Sequence, residues 1–314
     1  IKNLLRTKGS LNYSQIKKIA YMFNLRLGNL KNIDYAGDIK TNINFDLNNK
    51  FKLKNLIYSS EGFINSLKLE FDEQKILKTY LPNIDSKLVL TDTKFKLKHS
   101  QTNQLVELNG SVKKEELYDN FKVESNYNYA DKSFNIKGNI DLTNSEVEIP
   151  RLNYKKKINK EAELNFNIKF ILDKYFKINS LNFISEKTNI LVSKVELNNN
   201  FEVNDFKKLI VKTANNNSVN NDFLIEKLKE VVILGNLFDA QPLLKNLYKK
   251  SDKKTFSKKF NAGIKINFDK VLTGTDDILS DMGMIASINK GSYEKLSLKG
   301  NFSKDEIIEM SIYQ

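Results

Sequence analysis

A single imidazole and no thiol set the outer limit on the chemistry this sequence can perform. His99 is the only histidine among 314 residues, and there is no cysteine. Disulfides, thiolate metal sites, cysteine nucleophiles and any site needing two imidazoles are therefore excluded. His99 follows Leu97 at the end of an alternating segment, the place of a surface or sheet-edge residue rather than of a base. Carboxylates are plentiful, but Asp46, Glu107, Asp141 and Glu148 fall on the polar phase of alternating segments, where solvation accounts for them. A catalytic pair needs two carboxyls held close with separated pKa values, and no spacing here supplies one. Asp276, Asp277 and Asp281 lack the Asp-x-Asp-x-Asp-Gly order of a calcium loop. Gly274-Thr275-Asp276 and Gly283-Met284 lack the strand, glycine loop and helix of a nucleotide site, and no elbow motif surrounds Ser257. The residue types predict no catalysis, no metal and no cofactor.

The net charge of +13 raises the question of nucleic acid. A nucleic-acid surface clusters Lys and Arg with aromatics on one face. Here the lysines are scattered from Lys2 to Lys304, and arginine, the residue of bidentate phosphate and base contacts, occurs only at Arg6, Arg26 and Arg151. The charge predicts no nucleic-acid role; attraction to anionic membrane surfaces fits it at least as well.

The elements that must position these residues read as strands. Ile39, Ile43, Phe45 and Leu47 share one parity against Lys40, Asn42, Asn44 and Asp46. Phe134, Ile136, Ile140 and Leu142 alternate with Asn135, Lys137, Asn139 and Asp141, and Leu164, Phe166, Ile168 and Phe170 with Asn165, Asn167 and Lys169. The segments 95–97, 106–112, 264–268 (Ile264, Ile266 and Phe268) and 296–302 behave alike. Side chains flip face at each step of a strand, so every segment has one apolar and one wet face, the pattern of antiparallel sheet with one side in water. Turn-like clusters separate the runs: Asn48-Asn49-Lys50, Ser59-Ser60-Glu61-Gly62, Thr102-Asn103, Ala130-Asp131-Lys132 and Asn198-Asn199-Asn200. The expected fold is mainly β: an elongated, curled antiparallel sheet, a groove-like meander, with a few short helices.

Helical spacing predicts helices over 14–23, 73–81, 221–230 and 239–250. The last is the clearest, with Asp239 to cap it, Pro242 in the first turn and Leu243, Leu244, Leu247 and Tyr248 as a stripe. No sharp domain boundary appears. The polar stretch 249–259 is the best candidate, dividing a β-rich segment over 1–250, which ends in the 239–250 helix, from a C-terminal hairpin region over 256–314 that continues the same sheet. No apolar run approaches the 18 residues of a membrane span. Both ends read as cut from a longer protein.

One segment carries more than periodicity. Val231-Val232-Ile233-Leu234-Gly235-Asn236-Leu237-Phe238-Asp239-Ala240-Gln241-Pro242-Leu243-Leu244 resembles the AsmA-like envelope proteins, specifically their large YhdP-type members. A strand ending in Gly passes into a helix through Phe-Asp-Ala-x-Pro-Leu-Leu. Val271-Leu272, Gly274, Ile278-Leu279, Gly291 and the run 296–302 are similar to that family's hairpins after the helix. Upstream, 141–143 through 150–156 resembles its strand and aromatic-Lys segment, with Tyr154 where Trp is commoner. The low glycine content departs from the family. The resemblance implies a periplasmic β groove, anchored to the inner membrane by a segment outside this chain. It also implies movement of phospholipid between inner and outer membranes, support of outer-membrane integrity, and envelope protein partners.

Two arrangements satisfy the apolar faces: a core in which two layers bury each other, or a groove that takes acyl chains. In the groove reading the lining is Ile43, Phe45, Leu47, Phe134, Ile136, Ile140, Leu142, Leu164, Phe166, Ile168, Phe170, Ile264, Ile266 and Phe268. Phe238, Asp239, Pro242, Leu243 and Leu244 are read as structural, Asp239 capping, Pro242 presetting the backbone and the three apolar residues plugging an apolar surface. Two other classes remain beside lipid transfer: an assembly factor that captures client strands of outer-membrane proteins on its sheet edges, and an outer-membrane barrel, which the unbanded Tyr and Phe residues disfavour.

Overall fold

Alternation over most of the length leaves the backbone one way to satisfy its polar groups, by pairing strand with strand. The computed structural model describes residues 1–22, 30–71, 86–171, 174–246, 256–274, 277–302 and 306–313, which form two compact units, Ile1–Ser145 and Glu146–Gln314. Both are mainly β, as the periodicity predicts. The dividing point, Ser145/Glu146, carries no linker composition.

The first unit is an antiparallel meander: β1 (Lys2–Leu11), β2 (Leu30–Leu47), β3 (Leu53–Phe71), β4 (Lys87–His99), β5 (Asn103–Lys114), β6 (Leu117–Asn128) and β7 (Ser133–Asp141). Each strand pairs with the next in the chain. The helix expected over 14–23 is α1 (Tyr13–Met22). It is opened by a reciprocal box in which Gln15 N–H donates to Asn12 Oδ1 and Asn12 N–H to Gln15 Oε1. Ser59-Ser60-Glu61-Gly62, expected as a turn, lies in the middle of β3 instead. Its small residues serve close strand approach: Thr41 and Ser60 hydroxyls meet at 2.9 Å. The helix expected over 73–81 lies outside the described residues.

In the second unit a small pair, β8 (Val147–Ile149) and β9 (Tyr154–Lys156), flanks the 3-10 turn Pro150–Leu152. The main sheet then runs β10 (Glu163–Ile171), β11 (Tyr175–Ser185), β12 (Thr188–Leu197), β14 (Lys208–Asn215), β15 (Ser218–Lys227), β16 (Val231–Asp239), β17 (Ala262–Leu272), β18 (Ile278–Asn289), β19 (Ser292–Asn301) and β20 (Ile307–Tyr313). The short β13 (Val203–Asp205) adds to the end of β12. One ladder departs from the antiparallel expectation. β16 and β17 are parallel, because the chain leaves the end of β16 through α2 (Gln241–Asn246) and returns to the opposite end before pairing. α2 is the described part of the helix expected over 239–250; residues 247–250 lie outside.

The helix expected over 221–230 is a correction: those residues belong to β15 and the turn after it. Phe223, Leu224 and Leu228 have helical spacing, yet β14 and β16 offer pairing on both sides, and tertiary pairing outweighs a weak local preference. Leu228, the residue completing the apparent stripe, is largely exposed. Gly235 lies between Phe223 and Phe268 in neighbouring strands, where a Cβ would come within 2.6 Å of the Phe268 ring. Only glycine lets that row close.

Candidate functional site

Register turns the alternation of separate segments into continuous faces. Across β2 to β7 one rung reads Ile43, Tyr58, His99, Gln104, Tyr127, Phe134, and the next Thr41, Ser60, Leu97, Val106, Ser125, Ile136. One rung of the opposite face is charged throughout: Lys40, Glu61, Lys96, Glu107, Glu124, Lys137, with Lys137 and Glu124 paired at 3.0 Å. Of the residues expected to line a groove, Ile43, Phe45, Phe134, Ile136, Ile140 and Leu142 are half-buried, and Leu47, at the strand end, is exposed. Both described clusters of fully buried apolar residues lie in the other unit. This face of the first unit is thus mixed in cover: Ile64, Thr93 and Phe121 on it are buried, and the groove-lining candidates other than Leu47 are half-buried.

His99 is not the plain surface residue its position suggests. Its ring stacks on Tyr58 at 4.5 Å, and the Tyr129 hydroxyl meets its Nδ1 at 2.8 Å. Burial pushes its pKa below the ordinary value of 6.5. The unfolded chain therefore takes up this proton first as pH falls. The stability that goes with neutral His99 is full above about pH 6.5 and is lost as pH drops through the lowered folded value. Wild type should thus lose more thermal stability than His99→Gln between about pH 7.5 and 5.5, as followed by circular dichroism. Parallel losses in the two proteins would contradict the assignment.

In the second unit the apolar rows cross nine strands. Phe166, Leu181, Val192, Leu209, Ile225, Ile233, Ile266, Met284 and Leu298 form one of them. This face is plugged at both ends. At one end Phe206, Phe256 and Phe260 pack on Val195, Val231, Ile264, Ala286 and Ile288. At the other, Leu152, Phe238 and Ala240 pack on Val211, Phe223, Phe268, Val271, Leu279 and Met282. Ile264 and Phe268 are consequently core residues and not groove lining, whereas Ile266 between them is half-buried. Leu164, Phe166, Ile168 and Phe170 on β10 are also half-buried and lie in neither cluster. Phe238 plugs an apolar surface as expected, stacked on Phe268 at 5.1 Å. Leu243, 54% exposed, and Leu244, 39% exposed, do not.

What the sequence reading missed is polar. Register shifts by one residue between Thr213 and Ala214, so Asn220 and Asn221 oppose Thr213 together, and such a bulge re-aims side chains. All three are buried. Asn221 Nδ2 donates to the Thr213 hydroxyl at 2.9 Å and to Leu152 O at 2.8 Å, and the Asp239 N–H donates to Asn221 Oδ1. The buried Asp239 carboxylate accepts from Asn153 Nδ2 at 2.7 Å, from Asn220 Nδ2 at 3.4 Å and from the Gln241 N–H at 3.1 Å, the last being its expected capping role. Asn153 sits at φ 48° in the left-handed region, which asparagine tolerates. The network seals the 150–153 turn over the ends of β14, β15 and β16. The only signal for it in the sequence is three short polar residues within apolar strands.

The chain matches no protein-family model, no curated protein and no solved structure.

Function must accordingly be argued from the surfaces. Among the described residues, no group of three or more His, Asp or Glu is placed to hold a metal ion, and no helix is long and apolar enough to cross a membrane. Arg6 is held by Asp38 through two hydrogen bonds, at 3.0 and 2.6 Å, so its fork is already occupied by a carboxylate.

Proposed function

We propose that this chain handles lipid. It is a segment of a bridge-like lipid-transfer protein of the periplasm, anchored to the inner membrane outside this chain, that moves phospholipid between inner and outer membranes and supports outer-membrane integrity. The observation that carries the reading is the face of β2–β7 on which Ile43, Leu97, Val106, Phe134 and Ile136 stay half-buried, while Ile64 and Phe121 are sealed. An acyl chain laid on such a face loses apolar contact with water at about 0.8 kcal/mol per buried CH₂, while its headgroup stays hydrated. The half-buried row at β10 offers the same surface in the second unit. The resemblance around Phe238–Leu244 points the same way.

The experiment is native mass spectrometry with lipid extraction on the chain purified from cells. Phospholipid should co-purify, and Ile136→Asn and Phe166→Asn should each lower it severalfold without altering circular dichroism. A lipid-free wild-type chain would overturn the reading. A second reading, assembly of outer-membrane proteins through sheet edges, is favoured by β1 and β20, each paired on one side only among the described residues. Leu4, Ile308 and Ile312 on them are exposed. It predicts client strands captured by backbone pairing and no bound lipid.

A further inference from the structure

The hairpin tips β11–β12 and β14–β15 meet β9 around a hollow of about 320 Å³. Lys155, Lys156, Lys157, Lys160 and Lys187 line it, against a single lining glutamate, Glu186. Its floor is fixed. Tyr154, Ser185 and Thr188 are buried there; Ser185 Oγ donates to Glu161 O at 2.7 Å, and the Ala214 N–H donates to Thr188 Oγ1 at 3.1 Å. The Asn216-Asn217 turn, with φ of 47° and 68°, forms part of its rim.

Five ammonium groups around one hollow repel each other unless anions offset them. Lys160 pairs with Glu186 at 2.8 Å and Lys155 with Glu146 at 3.1 Å, while the buried Lys156 donates to Lys157 O at 2.8 Å and Lys187 to Asn217 O at 3.3 Å, carbonyls that leave their charge in place. Glu148 lines the adjoining hollow on the far side of Tyr154. The cations of the first hollow still exceed its acids. In the first unit the rung through Lys40 and Lys137 mixes lysines with Glu61, Glu107 and Glu124. Here Lys155, Lys156 and Lys157 are consecutive, and β9 and the turns bring Lys160 and Lys187 to them.

We infer that this hollow is a binding site for a phosphate-class anion. Lysine acts on phosphate as a compact point charge with three donors, whereas planar bidentate recognition of a carboxylate would call for arginine, and no arginine lines the hollow. The ligand is a phosphate group carried either on a lipid headgroup or on a small soluble molecule. The site stands apart from acyl-chain handling, since it uses none of the apolar rows.

The test uses the full chain at about physiological ionic strength, where long-range attraction between exposed charges is screened. Calorimetric titration with inorganic phosphate and with glycerol 3-phosphate is paired with sedimentation on phosphatidylglycerol and phosphatidylcholine vesicles. The site variant Lys155→Gln/Lys157→Gln/Lys187→Gln leaves the Lys160–Glu186 pair intact. The control Lys94→Gln/Lys96→Gln/Lys98→Gln removes equal charge from exposed positions on β4. Saturable binding of the soluble phosphates, weakened at least tenfold in the site variant and not in the control, assigns a soluble phosphate ligand. Binding seen only on phosphatidylglycerol vesicles, with the same variant pattern, assigns a headgroup. Binding to neither, or equal weakening in both variants, overturns the site. Phospholipid that still co-purifies with the site variant separates this outcome from failure of the lipid reading.

Discussion

Replacing Phe260 by alanine is expected to destabilise the second unit by about 3–5 kcal/mol, the usual cost of removing a fully buried phenylalanine. Phe260 is 1% exposed. Its ring stacks on Phe256 at 4.5 Å and on Phe206 at 6.1 Å, and the Lys227 ammonium lies 4.8 Å from its centroid. The backbone around it is committed as well: Phe260 N–H donates to Ser257 O, Ser257 N–H to Val203 O, and Gly291 N–H to Phe260 O, each at 3.0 Å. These bonds hold the cavity walls apart, so the site cannot collapse onto the missing ring, and uncollapsed cavities cost most. Urea denaturation followed by circular dichroism measures the loss. Hydrogen exchange should place it in β13, β17 and the turn between β18 and β19. A loss below about 1 kcal/mol, the range of an ordinary surface substitution, would mean that the aromatic stack does not close this end of the sheet.

Asp239→Ala should cost about 1–3 kcal/mol, from the loss of a buried acceptor that three donors share. Asp239 is 4% exposed, and its replacement takes one acceptor from the Gln241 N–H, from Asn153 Nδ2, which keeps Gln241 Oε1 at 3.3 Å, and from Asn220 Nδ2, which keeps Leu152 O at 3.0 Å. Asp239→Asn keeps the volume yet turns an acceptor into a donor against two amide donors, so it should be no milder than about half of the alanine effect. Asn153→Ala combined with Asp239→Ala should cost less than the sum of the two, since they share a bond. Strict additivity in that cycle, measured by urea denaturation, would show that the 150–153 turn is not tied down through Asp239.

The contrast between these two positions shows how much of the molecule the sequence determined by itself. The strands were legible because alternation is a local property: Phe134, Ile136 and Ile140 must share a face whatever they pair with. The capping of α2 by Asp239 was legible for the same reason, since donor and acceptor lie two residues apart. The apparent helix at 221–230 failed because spacing alone cannot see that β14 and β16 lie on either side of it. The Ser59–Gly62 turn failed because small residues permit close strand approach as readily as reversal.

Only the tertiary structure decided which apolar residues are core and which are half open. Ile264, Ile266 and Phe268 have the same alternation as Leu164, Phe166 and Ile168. The first and third of that triplet are buried because Phe256 and Phe260 fold over one end and Leu152 and Phe238 over the other. The Asn153–Asp239 bond spans 86 residues, and the lysine hollow joins β9 to two distant turns. Burial and charge clustering are set by what the chain brings back to a face, at separations over which a sequence pattern carries no signal.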